Sequence, residues 1–291
     1  MSDQNHNQPV GVFDSGVGGL SVLQRIRDEL PHENLLYVAD SEHAPYGNKP
    51  VEFIVRRAFA ITEFLLERGV KAVVVACNTA TAAAIAPLRA RFDMPIIGIE
   101  PALKPAVATT RTGVVGILAT GNTVASNKFA DLLDHHGHQA RVLVQPCPGL
   151  ADCVERGDLH GPRPHALLAR YLQPLLEQNA DTLVLGCTHY PFLIPLIQQL
   201  AGPNVTILDP GPAVARQLRH RLEMAGKLAG ENVAGGECYF TSGAPERTAK
   251  VMRQLLNRSV TLTVLPKHFR SGTVFLGPEL ALHRVAGHEI G

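Results

Sequence analysis

Cys77 and Cys187 occur in the same local setting. Each follows an apolar run rich in β-branched residues, 72–75 and 182–185, and each precedes small polar or basic side chains. Asn78-Thr79 follow the first thiol and Thr188-His189 the second. This pattern puts a thiol at the carboxyl end of a buried parallel strand, where open α/β sheets present their ligand sites. A helix starting just beyond it favours the thiolate through its free N–H groups and dipole. The two cysteines stand 110 positions apart and read as one half-site used twice. Opposed thiols suit reversal of a stereocentre, one removing a proton as base while the other supplies one to the opposite face as acid. A proton beside a carboxylate leaves reluctantly, and Asn78, Thr79, Thr120 and Thr188, with backbone N–H groups, are placed to stabilise the developing charge. His189 is positioned to shuttle or polarise the proton of Cys187.

An isolated free cysteine is commonly an inert core residue. The repeated setting lifts Cys77 and Cys187 out of that class, and Cys147, Cys153 and Cys238 lack it. Asp14-Ser15-Gly16-Val17-Gly18-Gly19 invites comparison with a phosphate loop but fits neither G-x-G-x-x-G nor G-x-x-x-x-G-K-[ST]. A carboxylate and a hydroxyl leaving a strand end together suit a ligand ammonium or a partner for a thiol. The stretch 40–47, which includes Tyr46-Gly47, is a loop at a strand end, where substrate contacts are commonly built. Glu155 alone reads as a charge at a helix end.

The scaffold follows from periodicity. Strands are expected at 10–13, 35–39, 72–75, 95–99, 113–119, 140–144, 182–185, 205–208, 238–241 and 262–265. Helical patterns occupy 20–30, 51–68, 82–92, 123–136, 163–178, 191–200, 214–228 and 246–256, with a short piece ending at Val154-Glu155. Ser15 and Thr120 close equivalent strands 105 positions apart, near the cysteine offset, as a duplicated α/β unit would. The expected fold is α/β, with two similar doubly wound parallel-sheet domains related by pseudo-twofold symmetry. Residues 1–100 with 211–291 form the first and 101–210 the second.

Composition narrows the class. The chain has 291 residues, 45% of them hydrophobic, and a formal charge of +1. That charge gives no reason to expect nucleic acid or an anionic membrane as a partner. No stretch approaches the roughly 20 apolar residues of a membrane helix. Residues 1–9 read as a short mobile tail, not a secretion signal. Five scattered cysteines without a Cys-x-x-Cys pair suggest neither a disulfide framework nor a metal site, and they fit a reducing cytoplasm.

Taken together, Asp14-Ser15-Gly16-Val17-Gly18-Gly19-Leu20, Pro45-Tyr46-Gly47, Ala76-Cys77-Asn78-Thr79-Ala80 and Gly186-Cys187-Thr188-His189-Tyr190-Pro191 resemble the glutamate racemases. The resemblance spans roughly residues 10 to 220. It implies racemisation of L- and D-glutamate without a cofactor, for peptidoglycan synthesis, in a cleft between two domains of a homodimer. It implies that Cys77 works on the D-enantiomer with Asp14, and Cys187 on the L-enantiomer with His189 and a nearby Glu155. Substrate contacts would be Asp14, Ser15, Tyr46, Gly47, Asn78, Thr79, Thr120, Thr188 and His189. An aspartate racemase of the same superfamily is the nearest alternative, since pocket length separates four- from five-carbon acids. A single-thiol hydrolase or a non-catalytic binding protein would each leave at least one cysteine dispensable.

Overall fold

The computed structural model describes residues 6–231 and 234–271. Ten strands are present among them: β1 (Val10–Asp14), β2 (Leu35–Ala39), β3 (Ala72–Val75), β4 (Ile96–Gly98), β5 (Val114–Ala119), β6 (Arg141–Pro146), β7 (Thr182–Gly186), β8 (Thr206–Leu208), β9 (Glu237–Thr241) and β10 (Leu262–Val264). They form two sheets, ordered β10-β9-β2-β1-β3-β4 and β6-β5-β7-β8, and every pairing is parallel. The order β2-β1-β3-β4 recurs as β6-β5-β7-β8, so the expected repeat is present as a shared winding. β9 and β10 extend the first sheet beyond β2.

The central strands β1, β3 and β7 are mostly apolar because helices cover both faces. β1, β3 and β7 are buried at every position, whereas the edge strand β6 is exposed at both ends. On one face of the first sheet, helix Leu20–Glu29 packs on helix Gly211–Met224, with Leu20, Leu23, Ile26, Leu218 and Leu222 in one core. On the other face, Ile54, Ala58, Ile61 and Leu65 of helix Val51–Glu67 meet Ala80, Ala84 and Leu88 of helix Asn78–Arg91. Among the described residues no helix is long and apolar enough to cross a membrane.

Several boundaries depart from expectation. The helix after Cys77 begins at Asn78, not at residue 82. The single helix expected at 123–136 is two, Gly121–Val124 and Asn127–His136, because Ser126 Oγ accepts the Phe129 N–H at 3.2 Å and caps a fresh start. A helix at Leu103–Thr109 had no counterpart in the periodicity reading. The N-terminal stretch is tied down from His6: its Nδ1 meets Leu228 O at 3.0 Å and its carbonyl accepts Lys71 Nζ at 2.6 Å. Lys71 also pairs with buried Glu33 at 2.6 Å. The rest of the expected tail, residues 1–5, and the last 20 positions assigned to the first domain, 272–291, lie outside the described residues.

Asp181, at the entry to β7, anchors the approach to β5. It accepts Thr110 Oγ1 at 2.6 Å and the N–H groups of Arg111 and Thr112 at 2.8 and 3.1 Å. Burial alone would raise its pKa, but these donors outweigh it and hold the carboxyl at about 2, below its ordinary 3.8. A depressed folded-state pKa contributes stability above the unfolded value and loses it as pH falls through the folded one. Asp181→Asn is therefore expected to lower stability by about 1–2 kcal/mol near neutral pH. In denaturant titrations the gap from wild type should narrow as the pH is lowered from 3.8 toward 2.

Candidate active site

The polar residues singled out in the sequence collect where the two sheets turn their carboxyl ends toward each other. Asp14 ends β1, Asp40 follows β2, Cys77 lies two residues past β3, Thr120 follows β5 and Cys187 follows β7.

Cys77 occupies the N-cap position of helix Asn78–Arg91, with its sulfur accepting the Ala80 N–H at 3.5 Å. The expectation that this helix end favours a thiolate needs correction. The thiol is 5% exposed, and burial, reinforced by the Asp14 charge, pushes its pKa well above 9.0 despite the helix. Desolvation of a charge outweighs one helix end here. Cys77 is a protonated thiol at rest. Asp14 is completely buried and accepts Gly19 N–H at 2.7 Å, while Ser15 and Thr188 hydroxyls approach it at 3.4 Å each. Burial raises the Asp14 pKa, with the His189 charge opposing. Asn78 is 4% exposed, and neither its Oδ1 nor its Nδ2 has a protein partner. A buried amide with both ends unsatisfied is costly in a finished core but suits a ligand-binding wall.

Cys187 sits in a different environment. It is followed by a 3₁₀ turn, Tyr190–Leu193, and not directly by an α-helix. Its sulfur lies 3.6 Å from His189 Nδ1, and His189 Nε2 lies 2.7 Å from Glu155 Oε1. The same Glu155 oxygen accepts the Val17 N–H at 2.8 Å. Burial would lower the His189 pKa, but the Cys187 sulfur and Glu155 carboxylate outweigh it and hold the imidazole well above 6.5. The ring is wedged between a sulfur and a carboxylate, both of which favour its protonated form. Cys77 also responds to the charge of Cys187, so the two half-sites share one electrostatic environment.

The glycines of the 14–19 turn have a use the sequence did not disclose. A β-carbon at Gly16 would run into the Glu155 carboxylate, and one at Gly18 into the His189 ring. The turn from the first sheet is the bed on which the His189–Glu155 pair of the second rests. Ser21 closes this flank by donating to Thr188 O at 2.8 Å.

On the opposite flank, three hydroxyls converge. Thr79 Oγ1 meets Thr120 Oγ1 at 2.9 Å, and Thr120 meets Thr123 at 2.9 Å. Thr123, expected only as the first residue of a helix at 123–136, joins the site because helix Gly121–Val124 turns it inward. The Tyr46–Asn48 turn packs against this group. The Tyr46 hydroxyl is committed to Asp40, which Arg57 grips through Nε at 2.9 Å and Nη2 at 2.8 Å. Burial would raise the Asp40 pKa, but His43 and Arg57 together hold it far below its ordinary value. The Tyr46 hydroxyl is therefore turned into its own sheet, and Gly47 lies against Thr120. All five cysteines are free.

Comparison with known proteins points to one family. The model of the Asp/Glu/hydantoin racemase family matches residues 11–218. A glutamate racemase of Methylococcus capsulatus is 54% identical over 272 residues, covering 94% of this chain and 100% of that protein. The crystal structure of glutamate racemase isoform RacE1 from Bacillus anthracis superposes with a TM-score of 0.82 at 34% identity, covering 90% of this chain and 98% of that one. Escherichia coli glutamate racemase, solved with L-glutamate and the activator UDP-MurNAc-ala, gives a TM-score of 0.78 at 33% identity over 89% of this chain and 98% of that one.

Proposed function

The chain belongs to the Asp/Glu/hydantoin racemase family, and from that premise we propose that two opposed thiols invert the α-carbon of glutamate in its cleft. The enzyme is an amino-acid racemase, an isomerase, acting on glutamate. The two half-sites belong to two domains, residues 1–100 with 211–291 and residues 101–210.

The unlike surroundings of the two sulfurs suit them to opposite tasks in a given direction of turnover. Cys187 is the base for L-glutamate: its sulfur takes the α-proton, and His189, in contact with that sulfur, assists the transfer. Glu155 keeps the His189 ring oriented. The electron pair left at the α-carbon spreads into the substrate carboxylate, which Asn78, Thr79, Thr120 and backbone N–H groups stabilise. Cys77, protonated by its burial, delivers its proton to the opposite face, and D-glutamate forms. Cys187 ends as thiol and Cys77 as thiolate, so the reverse reaction starts from the mirrored state with Asp14 serving Cys77. The balance closes on two sulfurs and one proton each way, and no cofactor enters.

The observation that carries this reading is the hydrogen-bonded series Cys187–His189–Glu155 opposite the Cys77–Asp14 pair. The product D-glutamate serves peptidoglycan synthesis, and the enzyme works in the cytoplasm as a homodimer. The testing experiment follows purified protein with L- or D-glutamate in D₂O and no added cofactor. Circular dichroism should report interconversion, and mass spectrometry should find α-deuterium mainly in the product enantiomer. Equal deuterium in recovered substrate and product would point to one base serving both faces and overturn the two-thiol mechanism. Turnover of aspartate without glutamate would overturn the substrate.

A further inference from the structure

The Tyr46–Asn48 turn is held from two directions. From its own sheet it is gripped by the buried Tyr46–Asp40–Arg57 network. From the other sheet it is held by Asn122, a residue of the short helix Gly121–Val124 that follows β5. The Asn122 Nδ2 donates to Tyr46 O at 3.1 Å and to Lys49 O at 2.8 Å. An amide nitrogen has two hydrogens, and both are used. The two acceptors bracket Gly47 and Asn48, and the Lys49 N–H closes the same turn onto Tyr46 O at 3.0 Å. A β-carbon placed on Gly47 would lie 3.1 Å from the Thr120 β-carbon, so the turn has little freedom against Thr120 while the clasp holds.

We propose that Asn122 is a positioning residue for racemisation, fastening the Tyr46–Gly47 peptide of the first sheet to Thr120 of the second. The inference rests on the reading that Tyr46–Gly47 and Thr120 contact glutamate. Asn122 touches neither thiol. It acts by keeping two halves of one binding wall in register, although they come from opposite sides of the cleft. The side chain is only half-buried, so its loss leaves the core intact.

Asn122→Ala removes both donors, and Asn122→Asp keeps the shape while aiming a carboxylate at two carbonyl oxygens. The expected result is a KM raised about tenfold for Ala, and further for Asp, with kcat within about threefold, as the loss of two ordinary hydrogen bonds implies. Melting temperatures should stay within about 2 °C of wild type, as for a surface change without core consequences. Hydrogen exchange without substrate gives an independent reading: the 46–49 amides should exchange faster in both variants. Wild-type KM in both variants, or unchanged exchange at those amides, overturns the inference. If the wild-type protein fails to racemise glutamate, the substrate reading falls, and the exchange measurement still decides whether Asn122 fastens the turn.

Discussion

Cys77→Ser and Cys187→Ser should each lose racemisation by about three orders of magnitude, the scale of a positioned acid or base. A serine hydroxyl fits either space but does not ionise near neutral pH, so proton transfer on the face served by the replaced sulfur is lost. The two variants should nevertheless fail differently. Cys77→Ser keeps the Cys187–His189–Glu155 series and can still remove and return the α-proton on one face. In D₂O it should wash deuterium into L-glutamate without inverting it. Cys187→Ser should do the same to D-glutamate, more slowly, because burial opposes ionisation of Cys77. Proton NMR of the α-position reads both results. Near wild-type inversion by either variant would sink the two-thiol mechanism, and inertness of both toward exchange would remove the assignment of one face to each sulfur.

Gly18→Ala is expected to cost about a hundredfold in kcat although position 18 carries no functional group. The added methyl would lie 2.7 Å from His189 Cγ and 2.5 Å from Cε1, with Nδ1 closer still. Nδ1 is the nitrogen that faces the Cys187 sulfur. Either the ring leaves the sulfur or the turn carrying Asp14 shifts, and packed interiors absorb such a displacement poorly. If the ring gives way, exchange of the L-enantiomer α-proton falls while that of the D-enantiomer persists, which separates a local displacement from general misfolding. Retention of wild-type turnover would mean the turn relaxes at no cost to the site.

These two experiments divide between what was legible in the sequence and what was not. Cys77 and Cys187 were legible because a strand buried on both faces leaves an unbroken apolar run, and the first polar residue after it marks the carboxyl end of the sheet. The same reasoning located β1 and β5, and with them Asp14 and Thr120. Gly18 was illegible. The 14–19 stretch reads as a turn, and only the folded chain shows that its missing side chains make room for His189 and Glu155. Glu155 looked like a loose charge because its partners, Val17 and His189, lie 138 and 34 positions away. Asn122 carries no signal in the sequence for the same reason, since the carbonyls it donates to lie 76 and 73 positions away. The misjudged ionisation of Cys77 has another origin: a helix end is local and readable, whereas the desolvation that outweighs it depends on everything packed around the thiol.

The unlike surroundings of the two sulfurs carry a thermodynamic consequence. L- and D-glutamate are mirror images with equal free energies in water, so their interconversion has an equilibrium constant of one. The ratio kcat/KM must then be the same in both directions. A carboxyl beside Cys77 and an imidazole beside Cys187 cannot make the enzyme more efficient toward one enantiomer than the other. They can only divide the same ratio differently, so that whichever enantiomer saturates the site at lower concentration also turns over more slowly, by the same factor.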